Sequence, residues 1–141
     1  MLEGDYPYVA YMSGCKYNSS KGKFKVTGYQ YITQNSVVAH KTALQNGPVA
    51  IALDAANYAF QLYSGGIISG TSCGTTMDHS ITLVGYGHDS TLNMDYWVAK
   101  NQWGSYWGES GYVRIQRNDA GTNSGVCGLL QHSVQPTGIS I

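Results

Sequence analysis

Four strand-length apolar runs, parted by glycine-rich turns, constrain this chain more than any other feature. Val49–Leu53, Ile81–Val84, Tyr96–Lys100 and Tyr112–Gln116 are each four or five residues long, the length of a strand rather than a helix. No helical pattern recurs between them, so the rhythm of a parallel β-α-β fold is missing. The expected class is mostly β, an antiparallel barrel or sandwich with short helices. Twelve Tyr and eighteen Gly among 141 residues agree with strands and tight turns.

The remaining elements are slighter. Val26 to Ile32 reads as a further strand, and Ser36 as the N-cap of a helix from Val37 to Gln45 that Asn46-Gly47-Pro48 stops. Asn57 to Tyr63 reads as a helical turn, and Gly85-Tyr86-Gly87 as a turn ending the strand before it. Residues 1–26 read as irregular. His40 on the short helix and His88 in a loop are expected to be solvated.

Composition narrows the function. Eight basic and eight acidic residues give zero net charge, and only 11% of residues are charged, so nothing favours nucleic acid or an anionic membrane. No apolar run approaches the roughly 20 residues of a membrane-spanning helix, and Met1-Leu2-Glu3-Gly4-Asp5 shows no signal-peptide pattern. The three cysteines, Cys15, Cys73 and Cys127, form no Cys-x-x-Cys pair, which argues against a zinc or redox motif. No metal or cofactor is expected. An odd count fits one disulfide plus an orphan, or three unpaired thiols.

One constellation carries chemistry. Asp78-His79 stands at the head of an apolar strand, and Asn101 follows 22 residues later, just beyond another. An imidazole held in one orientation by an amide is the base that activates a thiol nucleophile. Trp103 and Trp107 are placed to cover such a hydrogen bond and exclude water. Each feature alone has a bland explanation in packing or turn chemistry. Their joint order is much harder to dismiss.

These segments resemble the papain/cathepsin family of cysteine proteases. The likeness runs through Asp5-Tyr6-Pro7-Tyr8 with Cys15, Gly47-Pro48-Val49 to Asp54, Phe60 to Ile67, and Cys73-Gly74. It continues through Asp78-His79 with Val84-Gly85-Tyr86-Gly87, Asn101-Gln102-Trp103-Gly104, Trp107-Gly108-Glu109-Ser110-Gly111-Tyr112 and Gly125-Val126-Cys127-Gly128. Gln102, where the family usually has Ser, is a local departure. The resemblance implies the right-hand antiparallel β-barrel domain of the papain-like fold over residues 27–141, preceded by the tail of the helical left domain over 1–26. It implies His79 as base and Asn101 as its orienter, with Trp103 and Trp107 shielding them on the leaving-group side. It implies a Cys73–Cys127 disulfide, leaves Cys15 unpaired, and places Ala52, Met77 and His132 along the main specificity pocket. A His at that pocket's floor would admit an acidic substrate side chain when protonated; the plainer alternative is a surface His near the C-terminal arm.

The family's nucleophile precedes its His and Asn by roughly 130–150 residues, which would put it roughly 50–70 residues ahead of Met1. None of the three cysteines has the Cys-Gly-Ser-Cys-Trp type of context, and the oxyanion Gln is absent too. The expectation is therefore the C-terminal part of a thiol endopeptidase, a fragment or gene-model boundary at Met1, inactive without its N-terminal half. The alternative is a degenerate homologue that binds peptides or a partner without cleaving them. Peptide or protein substrates are the expected ligands, and a lysosomal, vacuolar or secreted location follows from the family.

Overall fold

The computed structural model describes residues 1–140. In chain order its elements are strand β1 (Lys25–Tyr31), helix α1 (Val37–Asn46), β2 (Val49–Leu53), helix α2 (Tyr58–Gln61), β3 (Ile67–Ile68), β4 (His79–Asp89), β5 (Met94–Lys100), β6 (Tyr112–Gln116) and β7 (Ser133–Ser140). Short 3-10 turns lie at Ser19–Lys21 and Val126–Gly128. The seven strands form one sheet in the order β1-β7-β2-β4-β5-β6-β3. The pairings of β2 with β4 and β7, and of β5 with β4 and β6, are antiparallel, whereas the two-residue β3 runs parallel to β6. The class is mostly β with few short helices, in one mixed sheet.

The chain divides into two compact units. The smaller comprises Met1–Tyr29 with the residues from Pro136 onward. Inside it the Thr27 hydroxyl donates to the Gly138 carbonyl at 2.8 Å, and Lys21 pairs with Asp5 at 2.9 Å. The larger, Gln30–Gln135, holds the core.

That core follows from alternation along the strands. Val49, Ile51 and Leu53 of β2, Ile81 and Leu83 of β4, Trp97 and Ala99 of β5, and Val113 and Ile115 of β6 are all buried, one face of each strand pointing inward. Phe60, Leu129 and Leu130 belong to the same cluster. Cys73 and Cys127 form a disulfide across 54 residues, with Cα atoms 5.0 Å apart, and Cys127 is buried in the same core.

Two sequence expectations need correction, and one strand has no counterpart among them. The strand from Ile81 does not end at Gly85-Tyr86-Gly87: β4 shifts register between Leu83 and Gly85 and continues to Asp89. The reversal comes at Ser90–Asn93, where the Asp89 carboxylate accepts the amides of Thr91 and Leu92, both at 3.0 Å. Gly87 is a glycine because its partner Tyr96 lies across it; a Cβ there would meet the phenol ring at 2.7 Å. His88 accordingly sits on a strand, although it is exposed, and its Nδ1 pairs with Asp95 at 2.9 Å.

His40 is the second correction, because it is fully buried rather than solvated. With Val37 and Ala43 it forms the inward stripe of α1, at the three-residue spacing that aligns side chains on one helix face. Its Nδ1 bonds the Ser36 carbonyl at 2.7 Å, and its Nε2 bonds the Ser133 hydroxyl at 2.7 Å. The strand without a counterpart is β7, whose Ser-Val-Gln-Pro sequence gives no strand signal. Its Gln135 is buried and donates to the Ala43 and Gly47 carbonyls at 2.8 and 2.9 Å, satisfying acceptors that the end of α1 leaves open.

Candidate active site

His79 opens β4, paired across from Leu53 at the end of β2. Its neighbour Asp78 fixes that corner: the Asp78 amide donates to the Leu53 carbonyl at 3.1 Å, and its carboxylate accepts the Ala55 amide at 2.8 Å. Asn101 follows the last residue of β5, whose Lys100 pairs with Thr82 of β4. Adjacent strands thus bring together two residues 22 apart in sequence. The Asn101 amide donates to the Gly111 carbonyl at 2.9 Å, so the loop after β5 is tied to the turn before β6.

The two side chains meet. His79 Nε2 lies 2.9 Å from Asn101 Oδ1, and the same oxygen accepts the Gln102 backbone amide at 2.9 Å. A backbone N–H can only donate, which fixes the oxygen of the Asn101 amide on that side. The proton shared with His79 must then sit on the ring's Nε2. Asn101 is 4% exposed, where a hydrogen bond gains from the low dielectric. Nδ1 of His79 has no hydrogen-bond partner among the described residues. In the neutral ring it is a free proton acceptor.

An aromatic cluster holds this pair in place. Trp103 stacks at a tilt on the His79 ring, with centroids 5.0 Å apart and 31° between planes. Phe60, buried under both, lies 6.2 Å from His79, 5.5 Å from Trp103 and 5.0 Å from Trp107. Trp107 anchors its indole N–H on the Gln61 carbonyl at 3.1 Å. Asn57 makes this possible by capping α2, its side chain accepting the Phe60 amide at 3.0 Å. Phe60 belonged to a motif matched in the sequence, but no signal there distinguished it from any other core aromatic.

The turn carrying Trp107 is over-determined. Gly108 has φ +60, and a Cβ there would stand 2.5 Å from the Tyr112 carbonyl oxygen and 3.0 Å from the Tyr63 ring, so only glycine fits. Arg114 grips Glu109 with Nε to Oε2 at 2.9 Å and Nη2 to Oε1 at 2.7 Å. Glu109 also accepts the Gly66 amide at 3.1 Å. The guanidinium holds the Glu109 carboxyl below the usual carboxylate range. Burial pushes the Tyr63 phenol up, and its hydroxyl donates to the Gly66 carbonyl at 2.7 Å.

One side of His79 is open. Ala55, Ala56, Gln61, Asp78, His79 and Trp103 line a depression of about 520 Å³. Met77 is exposed just before it. Ala52 pairs with Ser80 in the β2–β4 register, and its amide donates to the His132 carbonyl at 3.0 Å. Ala52, Ser80 and His132, the last just ahead of β7, thus lie side by side, none of them buried. The His132 side chain borders a separate depression of about 490 Å³ with Tyr31, Ile32, Thr33, Gln34 and Ser133, and its ring meets Tyr31 edge-on at 5.8 Å. The sulfurs of Cys73 and Cys127 are joined to each other, so the larger unit holds no free thiol; Cys15, exposed and free, lies in the smaller one. No group of three His, Cys, Asp or Glu is disposed for a metal among the described residues.

Comparison with known proteins gives this arrangement its context. The family model for papain family cysteine proteases matches residues 1–137. Fruit bromelain of Ananas comosus is 44% identical over 135 residues, covering 96% of this chain and 37% of that protein. Macrodontain-1 of Ananas macrodontes is 42% identical, covering 94% of this chain and 59% of that protein. The structure of bromelain protease from Ananas comosus in complex with the E64 inhibitor superposes with a TM-score of 0.86 at 39% identity, covering 96% of this chain and 61% of that one. Digestive procathepsin L 3 of Tenebrio molitor gives a TM-score of 0.85 at 38% identity, over 96% and 43% of the respective chains. The chain spans between about a third and three-fifths of the lengths of these proteins. Family members are lysosomal, vacuolar or secreted, and no described helix is long and apolar enough to cross a membrane. By the family match and these likenesses, the chain belongs to the papain family of cysteine proteases.

Proposed function

We propose that the chain supplies the base side of a Cys-His-Asn endopeptidase site, with His79 as the catalytic base and Asn101 as its positioning residue. The observation that carries this reading is the His79 Nε2–Asn101 Oδ1 bond of 2.9 Å, which commits one ring nitrogen and leaves Nδ1 without a partner among the described residues on a ring that lines the depression. A thiol facing Nδ1 would pass its proton there, and the imidazolium would keep its Nε2–H on Asn101. The thiolate would attack a peptide carbonyl, and His79 would return the proton to the leaving amine. Trp103 and Trp107 form the wall on the leaving-group side.

The nucleophile and its oxyanion donor are, on this reading, contributed by the N-terminal half of the protease fold. Cys73 and Cys127 are spent in a disulfide, and Cys15 precedes Lys16-Tyr17 rather than a nucleophile motif. Residues 1–26 are the tail of that left domain, and 27–141 the right domain. Ala52 and Met77 offer an apolar wall for a substrate side chain. His132, just ahead of β7 and bonded through its carbonyl to the Ala52 amide, brings a group able to meet an acidic side chain to the neighbouring depression.

The test compares the chain alone with the chain joined behind the N-terminal half of fruit bromelain. The expected result is no turnover of a fluorogenic peptide by the 141 residues, and turnover by the chimera that His79→Ala removes. Hydrolysis by the isolated chain that survives an active-site-directed epoxide would overturn the reading. So would a chimera that folds, reacts with the epoxide through its bromelain-derived cysteine, and keeps full activity without His79.

A further inference from the structure

Of the eight asparagines in the chain, only Asn18 is followed two positions later by Ser or Thr, with a residue other than proline between: Asn18-Ser19-Ser20. This is the acceptor pattern for N-linked glycans, and it has force only where the asparagine is accessible and the protein meets the transferase. We propose that Asn18 is a site of N-linked glycosylation.

The local geometry suits the chemistry. Asn18 and both serines are exposed. Ser20 donates twice to the Asn18 Oδ1, from its backbone N–H at 3.0 Å and from its hydroxyl at 2.8 Å. Because a backbone N–H can only donate, the amide oxygen is the atom turned toward Ser20, and Nδ2 is turned away with no hydrogen-bond partner among the described residues. The turn itself is secured by the Lys21 amide on the Asn18 carbonyl and the Gly22 amide on the Ser19 carbonyl, both at 3.1 Å. The two donors on Oδ1 fix the orientation of the amide and leave its nitrogen as the exposed, uncommitted atom.

The reaction needs a lipid-linked diphosphate oligosaccharide. Nδ2 attacks the anomeric carbon, and a C–N bond forms as the C–O bond to the diphosphate breaks. The lipid diphosphate leaves with the electron pair, and Nδ2 gives up one proton. Two observations favour a compartment where that donor exists. Its family is lysosomal, vacuolar or secreted, destinations reached through the secretory pathway, and the Cys73–Cys127 disulfide belongs to an oxidising compartment.

The test is to direct the protein into the secretory pathway of a plant or insect host and analyse total protein, cell-associated and secreted. The expected result is a drop in apparent mass, seen as faster electrophoretic migration, on treatment with a glycan-removing amidase, with the Asn18 peptide then carrying Asp at that position. Asn18→Gln and Ser20→Ala should each abolish the shift, and Ser20→Thr should retain it. An unmodified Asn18 peptide in the wild type, or a shift that survives both Asn18→Gln and Ser20→Ala, would overturn the proposal.

Discussion

Two histidines of the larger unit use the same side chain to opposite ends. His40 is fully buried, and both its nitrogens are engaged, Nδ1 by the Ser36 carbonyl and Nε2 by the Ser133 hydroxyl, each at 2.7 Å. Its ring lies 6.4 Å from the buried Trp97. His79 has only one nitrogen engaged, by Asn101 at 2.9 Å, and its ring borders an open depression. A carbonyl on Nδ1 makes His40 the Nδ1–H tautomer, with Nε2 accepting from Ser133. An amide oxygen on Nε2 makes His79 the opposite tautomer. A histidine satisfied on both sides is a structural cross-brace; His79, satisfied on one side and bordering the depression, is on the proposed function the base.

The largest effect should come from removing each ring in turn from the completed protease. On the proposed function, His79→Ala lowers kcat by about 10² to 10⁴, the usual contribution of a positioned acid–base group. His40→Leu, which keeps most of the ring's volume, leaves kcat of the folded enzyme within a few-fold of wild type. Steady-state kinetics with a fluorogenic peptide reads both. A His40→Leu enzyme that folds and yet loses activity as severely as His79→Ala would erase the distinction between brace and base.

Stability should reverse the ranking. His40→Ala opens a cavity between α1 and β7 and strands the Ser36 carbonyl and Ser133 hydroxyl, at a cost of about 2–4 kcal/mol. His79→Ala loses a half-buried ring and one hydrogen bond, and should cost about 1 kcal/mol. Urea unfolding followed by tryptophan fluorescence decides the order, and a larger loss for His79→Ala would refute the assignment of His40 as the brace. Ser133→Ala probes the same brace more gently. It leaves His40 Nε2 a buried acceptor without a donor, for a loss of about 1–2 kcal/mol, and an unchanged unfolding midpoint would show that this bond contributes nothing.

The same contrast shows what the sequence displayed and what it concealed. β2 and β6 were legible to the residue, because Pro48 and Asp54 bound one run and Gly111 precedes the other. Periodicity carried less far where a residue's role was set by a partner distant in sequence. Gly85 and Gly87 looked like a turn, yet Gly87 is small to admit Tyr96. The Ser-Val-Gln-Pro start of β7 has no apolar alternation, and it pairs because β2 offers an edge at Ala50 and Ile51. His40 looked solvated because a polar residue on a weakly amphipathic helix gives no inward signal; its burial depends on Ser133, 93 residues away. At the site, the spacing of His79 and Asn101 was readable, and so were the tryptophans. The identity of the free nitrogen was not, since it depends on the Gln102 amide fixing which Asn101 atom faces the ring.

The smallest effect is a dependence on pH that the brace should impart to stability. Burial disfavours the imidazolium and lowers the His40 pKa; the Ser36 carbonyl opposes this only in part. Its ring contacts are the Ser36 carbonyl, the Ser133 hydroxyl and the Trp97 ring, none of them a carboxylate that would hold a proton on it. As pH falls below about 6.5, the ordinary histidine value, the unfolded chain takes up a proton at this position before the folded chain does. Stability from His40 is therefore present above that pH and lost as pH falls toward the lowered folded value, with a slope of at most about 1.4 kcal/mol per pH unit for one proton. Unfolding midpoints measured between about pH 7.5 and 5 should fall for the wild type more steeply than for His40→Leu, which has nothing to protonate there. Parallel curves for the two proteins would mean that the buried ring accepts its proton without cost, contrary to a brace closed at both nitrogens.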